Sequence, residues 1–388
     1  MDHSKMPADH LKVLKALSIC RTAELGGHID QCNSCAHLRI SYNSCRNRHC
    51  PKCQGINKEM WIIQQEDMLL PVVYYHVVFT IPEELNTLCM YNPRLIYDLL
   101  FHSAWHTIKT LSHDPRWIGA KPAATMILHT WSQKLMLHPH VHCIVPNGGI
   151  TTEGKWQFPK KGKDNFLYPV DAMKALYKGY FMDHLKSMFQ AKLLTIPKGY
   201  LEKHGGFKKW KNMLYRKDWV VFTKKPFSQS KHVIDYLGRY SHRVAITNRR
   251  IKKIDNGKVT VEYKDYKQGA IKKEMKINAT EFIRRFCLHI LPSRYRKIRT
   301  FGFLSNASKA KSIPIARKAL RVKHDHLLTK AQRKEKAIEN LFGNVNINQC
   351  PCCKKGIMQM KIAITRNRPP PKYILEKIKN QKINKKRK

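Results

Sequence analysis

The sequence predicts an α+β protein built on a central antiparallel sheet, with a small cysteine-rich domain before it and a mostly helical, basic region after it. Three observations carry this. Val72 to Ile81 (VVYYHVVFTI), Ala123 to Gln133 (AATMILHTWSQ) and His138 to Val145 (HPHVHCIV) are rich in β-branched and aromatic residues. Stretches of helical period lie between and after them. Two closely spaced cysteine pairs precede the first of the three.

Taken in order, residues 10–25 read as a short amphipathic helix with apolar Leu11, Val13, Leu14 and Leu17. The cysteine-rich module runs from Cys32 to Cys53, and residues 56–70 look helical up to Pro71. Pro82 ends the first strand, and a helical stretch reaches about Leu111. The short gap between the second and third strands suggests a hairpin, closed downstream by the turn Pro146-Asn147-Gly148-Gly149. Helices are expected over 171–194, 231–243, 281–290 and about 308–342. Asp255-Asn256-Gly257 between alternating segments signals a hairpin over 249–266. The end, 377–388, is almost all Lys, Asn and Ile and is expected to be a disordered basic tail. Domain boundaries follow at 1–70 (zinc-binding), 71–268 (catalytic), 269–348 (helical, basic) and 349–388 (cysteine-containing basic tail).

Charge names the partner class. Among 388 residues, 73 Lys and Arg face 27 Asp and Glu, a formal net charge of +46. So basic a chain repels itself unless it meets a polyanion, and nucleic acid is the obvious one. A hydrophobic fraction of 43% excludes a disordered chain. No apolar run is long enough for a membrane helix and the first residues do not resemble a secretory signal, so a cytoplasmic, nucleoid-associated protein with no membrane partner is expected.

Cys32-x2-Cys35 followed by Cys50-x2-Cys53 offers four thiolates in two knuckles, which suits a structural Zn²⁺ with no open position. Cys45, His49, Cys20 and His28 lie close by and could be alternative ligands, a second metal site or packed residues. Arg46, Arg48 and Lys52 decorate the second knuckle and are candidates to touch DNA phosphate. Cys350 and Cys353 supply one further knuckle with no second pair after it: half of a site completed elsewhere, or a decayed ribbon.

His140-Val141-His142 puts two imidazoles on one face of a strand, with Val141 pointing the other way into the core. If the hairpin turns at Met136-Leu137, Gln133 lies across from His140 on the same face. That predicts a two-His, one-Gln site with open positions, suited to Mg²⁺ or Mn²⁺. His129 and His138 are then outer neighbours or surface residues. In KHVIDYLGRYSHR, Tyr236 and Tyr240 are four apart, so both hydroxyls project from one helix face. A tyrosine can attack a phosphodiester and hold it covalently. Arg239, His242 and Arg243 beside them could bind DNA.

Together these strings resemble the HUH-type rolling-circle transposases of the IS91 family, in the branch with two tyrosines. The resemblance runs from about Val13 to Leu304 through CRTAELGGHID, SYNSCRNRHCPKCQG, YYHVVFTIP, HTWSQ, LHPHVHCIVPNGG, YLGRYSHRVAITN and FGFLSN. It implies an HUH-endonuclease-like core, His140 and His142 as the metal pair, and Tyr236 and Tyr240 as nucleophiles. The implied substrate is single-stranded DNA at transposon ends, cut to leave a 3′-hydroxyl and a 5′-phosphotyrosine. No GxxxxGK[ST] phosphate loop accompanies it, so strand displacement falls to the host. Two other readings keep some of these features: a non-catalytic zinc-ribbon nucleic-acid-binding protein, and a replication initiator or relaxase with the same chemistry.

Overall fold

The computed structural model describes residues 6–53, 55–160, 167–227, 233, 238, 245–322, 328–343, 346 and 348–386. Thirteen strands are described: β1 (Gly27–Cys32), β2 (Leu38–Tyr42), β3 (Tyr74–Thr80), β4 (Ala123–Trp131), β5 (Leu137–Pro146), β6 (Gly149–Ile150), β7 (Trp156–Gln157), β8 (Val221–Phe227), β9 (Ile251–Asp255), β10 (Lys258–Asp265), β11 (Ile271–Asn278), β12 (Ile298–Gly302) and β13 (Met358–Ile364). The α-helices are α1 (Ala8–Ser18), α2 (Gly55–Glu66), α3 (Asn86–Tyr91), α4 (Pro93–His113), α5 (Val170–Gln190), α6 (Phe207–Arg216), α7 (Ala279–Cys287), α8 (Lys309–Ala319), α9 (Lys330–Phe342) and α10 (Lys372–Lys386). None is long and apolar enough to cross a membrane. The chain forms two units, residues 64–327 and residues 1–63 with 328–388.

In the larger unit a five-stranded sheet runs in the order β12-β4-β5-β3-β8, every neighbouring pair antiparallel. Alternation fixes its faces. Val77 and Phe79 of β3, Met126 and Leu128 of β4, and Val141, Cys143 and Val145 of β5 join one core. Ile96, Leu100 and Ala104 of α4 and Tyr177, Phe181 and Leu185 of α5 close over them. Pro93 opens α4 at its first turn, where a missing N–H costs nothing. Phe79 is fully buried, its ring 5.0 Å from that of Tyr177. Phe79→Ala should lower stability by about 3–5 kcal/mol, read as a fall in the denaturation midpoint.

A second sheet, β11-β10-β9, grows from the expected hairpin. Asn256 (φ 45°) and Gly257 (φ 69°) take the left-handed conformations that a tight two-residue turn needs. The third strand, β11, lies in what the sequence suggested was helical. The expected boundary at 268 also fails on the other side, since β12 forms an edge of the main sheet beside β4. The helix expected over 308–342 is two helices, α8 and α9.

The smaller unit corrects the reading of the C-terminus as a separate tail. β13 pairs antiparallel with β1, whose other edge holds β2. Ile29 and Leu38 share a small core with Ile364 and Ile374. Residues 372–386 are the helix α10, not a disordered tail, and Gln381 Oε1 accepts a hydrogen bond from the Leu38 amide at 3.2 Å. Apolar Ile374 and Ile378, one turn apart, give that basic helix a face to bury.

Candidate metal and DNA-cleavage site

The face of the main sheet opposite the helical core carries a histidine cluster. Along β5 the even positions His140, His142 and Ile144 turn away from Val141 and Cys143. Antiparallel pairing then sets His129 of β4 directly across from His140, and Ile127 across from His142. Ligand nitrogens of His129, His140 and His142 all lie within 4.8 Å of one another. His129 and His142 are buried and His140 is half-buried.

The surroundings orient these rings. His140 Nδ1–H donates to the His138 carbonyl at 2.6 Å. His142 Nδ1 lies 2.9 Å from Nε2 of buried His76, the rings stacked at 14°. With both Nδ1 atoms engaged, Nε2 is the nitrogen that would ligate. Trp131 stacks on His129 at 4.5 Å. Burial, and then the neighbouring His138, push the His140 pKa down to about 4, so it is neutral at pH 7 and can accept a metal without losing a proton.

The expected place of Gln133 is corrected. Ser132 to Met136 form the turn: the Ser132 amide donates to the Met136 carbonyl at 2.9 Å, and Leu135 sits at φ 60°. Gln133 lies in that turn, and its backbone carbonyl accepts from Arg250. The Lys134 carbonyl accepts from Arg285 at 3.0 Å, and the Leu135 carbonyl from His289 Nε2–H at 3.1 Å. Burial lowers the His289 pKa to about 4, so its other nitrogen accepts from the Thr130 hydroxyl. Three side chains from later in the chain thus hold the tip of the histidine hairpin. The turn is centred near Lys134 and not at Met136-Leu137, and the register shifts by one residue between His129 and Trp131, so the residue across from His140 is four positions earlier than expected. Four is an even step, so that residue stays on the same face, and it is His129.

Tyr236, Tyr240, Arg239, His242 and Arg243 lie outside the described residues. Val233, three residues before Tyr236, is described. It is fully buried and lines a narrow cavity with Thr125, Ile144 and Thr300, which belong to the histidine-bearing face of the sheet.

The cysteines of the smaller unit also regroup. Cys32, Cys35, Cys50 and Cys53 do not form one site. Cys50 and Cys53 gather with Cys20 and Cys45, and Cys32 and Cys35 with Cys350 and Cys353. Cys20 and Cys45, alternatives in the sequence reading, thus complete a four-thiol set with Cys50 and Cys53. Arg46 and Lys52 are exposed and Arg48 half-buried on the loop between Cys45 and Cys53.

Comparison with known proteins bears on both units. A family model described as "Transposase zinc-binding domain" matches residues 1–81, and one described as "Putative transposase" matches 123–312. "Putative transposase y4qJ" of Sinorhizobium fredii is 38% identical over 92% of this chain and 90% of its own length. The chain belongs to the IS91 family of transposases. The transposase for insertion sequence element IS801 of Pseudomonas savastanoi pv. phaseolicola is 28% identical over 78% of this chain and 72% of that protein. Among solved structures, a metal-bound conjugative relaxase TrwC in complex with oriT DNA aligns with 30% of this chain and 44% of its own, at 13% identity and a TM-score of 0.25. That likeness is too slight to bear on the fold of this transposase.

Proposed function

We propose that this transposase cuts and rejoins single-stranded DNA at transposon ends through a tyrosine nucleophile, in the HUH manner. The observation that carries the reading is the three-imidazole cluster of His129, His140 and His142 in a chain of this family. Among the described residues the cluster offers three nitrogen donors and no carboxylate, a set that suits Mn²⁺ or a later first-row ion better than Mg²⁺. His129, His140 and His142 would hold it, and when bound it would polarise the scissile phosphate. The protein's own groups do the rest. Val233 brings the chain against the histidine-bearing face three residues before Tyr236. Tyr236 or Tyr240 attacks phosphorus. The Tyr O–P bond forms, the P–O3′ bond breaks, and the proton lost by the phenol ends on the 3′-hydroxyl. A free 3′-hydroxyl later attacks the phosphotyrosine and returns the proton to the phenol. Phosphodiester number is conserved throughout, so no nucleotide cofactor is needed. Two tyrosines allow two such transfers in succession.

The test uses an oligonucleotide carrying the element's end, Mn²⁺ and a denaturing gel. We expect a covalent protein–DNA band whose labelled peptide contains Tyr236 or Tyr240. Cleavage with no covalent band would make water the nucleophile and end this reading.

Binding itself draws on the +46 charge, with Arg46, Arg48 and Lys52 of the zinc module and Arg239, His242 and Arg243 beside the tyrosines as phosphate contacts. Six to ten such contacts would cost roughly 10³–10⁵ in affinity between about 50 and 200 mM salt. Fluorescence anisotropy across that range checks this; a flat response would mean that charge does not drive binding.

A further inference from the structure

We propose that the two ends of the chain are fastened together by a second structural zinc, held by Cys32 and Cys35 from the N-terminal end and Cys350 and Cys353 from the C-terminal end. The family's zinc-binding model stops at residue 81, so half of this site lies outside it.

The geometry is that of a closed thiolate site. Cys32 Sγ lies 3.7 Å from Cys353 Sγ, and Cys35 Sγ lies 3.6 Å from Cys350 Sγ. A tetrahedron with Zn–S bonds of about 2.3 Å has edges of roughly 3.8 Å, whereas a disulfide would need about 2.05 Å. Each pair has knuckle spacing, and backbone amides point at the sulfurs. Ser34 N donates to Cys32 Sγ, Cys352 N to Cys350 Sγ and Gly356 N to Cys353 Sγ, each at 3.3 Å. Such amides stabilise thiolates, the form a metal requires.

The two knuckles are also built to meet. The Asn33 amide donates to the Ile357 carbonyl at 3.1 Å, and the Ile357 amide to Asn33 Oδ1 at 2.9 Å. Between them sits Gly356. A Cβ there would lie 2.6 Å from Ser34 Oγ and 2.7 Å from Asn33 Oδ1, and closer still to Cys32 Sγ. Only glycine lets the knuckles approach this far. The site continues the β1–β13 ladder, in which Cys32 pairs with Met358. Cys20, Cys45, Cys50 and Cys53 form a separate group, with sulfurs 3.3 Å (Cys20–Cys53) and 3.6 Å (Cys45–Cys53) apart. The N-terminal module is therefore completed only when Cys350 and Cys353 have been made, and each chain holds two cysteine-bound zinc ions.

The experiment counts zinc released from the full-length protein by a thiol-specific mercurial, which leaves histidine-bound metal in place. Wild type should release two per chain. C350S, C353S and C32S should each release one, as should C20S. The pair C32S/C350S should still release one, because both ligands serve the same ion, and C32S/C20S should release none. Gly356→Ala keeps all eight thiols, and should release one of its two ions to a chelator faster than wild type does. The proposal is overturned if C350S keeps both ions, or if it loses both, since the separate group requires that one remain. It is equally overturned if C32S/C350S loses more zinc than C350S alone.

Discussion

The Tyr236→Phe/Tyr240→Phe chain should bind single-stranded DNA with wild-type affinity and form no covalent adduct. Phe keeps the ring and removes only the hydroxyl, so whatever packing the two rings provide is retained while the nucleophile is lost. The expected loss is large. Removing a covalent nucleophile from a hydrolase costs on the order of 10⁶ in kcat, well beyond the reach of a gel assay. The phenol, with a free pKa of about 10, is a poor nucleophile at neutral pH, so it depends on the charge held beside it. Reacting atoms must come within about 3–3.5 Å, and burial of Val233 on the histidine-bearing face brings the chain to that side of the sheet. Single Phe variants then separate the roles. If one tyrosine opens the reaction and the other completes it, only one single variant loses the adduct, and the other accumulates it. Equal, partial losses would mean that the two are interchangeable. A double variant that cleaved at the wild-type rate would leave water as the nucleophile.

What the sequence could reveal here depended on the range of the interaction. Strand β5 was legible because His140-Val141-His142 is a local alternation: the period of two places Val141 in the core and the histidines opposite it, whatever the partners are. The Asn256-Gly257 turn was legible for the same reason, since the conformation resides in those two residues. Long-range pairing was not. Nothing in the composition of MQMKIAI at 358–364 says that it pairs with GHIDQC at 27–32. The C-terminal cysteine knuckle therefore read as half a site, and the N-terminal four were assigned to one ion. One signal did point to the regrouping: Cys20 and Cys45 are surplus to a single ribbon, and Cys350 and Cys353 lack two partners, so eight thiols make two complete sets. For His129 the signal was its parity. Any hairpin register that keeps position 133 on the histidine-bearing face keeps 129 there too, and imidazole is the better metal ligand of the two.

That choice between positions 129 and 133 yields a graded set of effects. His129→Ala should abolish metal-dependent cleavage as completely as His140→Ala or His142→Ala, because each removes one of the three imidazoles grouped among the described residues and proposed as ligands. Gln133→Ala should cleave at close to the wild-type rate, since the contact seen at Gln133 is made by its backbone carbonyl, which alanine keeps. His76→Ala should fall between them. His76 orients His142 through the 2.9 Å nitrogen contact and does not belong to the three-histidine group. Loss of such an outer partner typically weakens metal affinity or activity by about 10–100-fold. The measurement is cleavage rate against Mn²⁺ concentration for each variant, with DNA affinity followed in parallel. For His76→Ala the midpoint should move to higher Mn²⁺, and the rate should recover at saturation. For His129→Ala no concentration should restore it, and DNA affinity should be unchanged, because binding rests on charge elsewhere. If Gln133→Ala lost cleavage and His129→Ala kept it, the third ligand would be the glutamine, and the β4–β5 register described here would be four residues out.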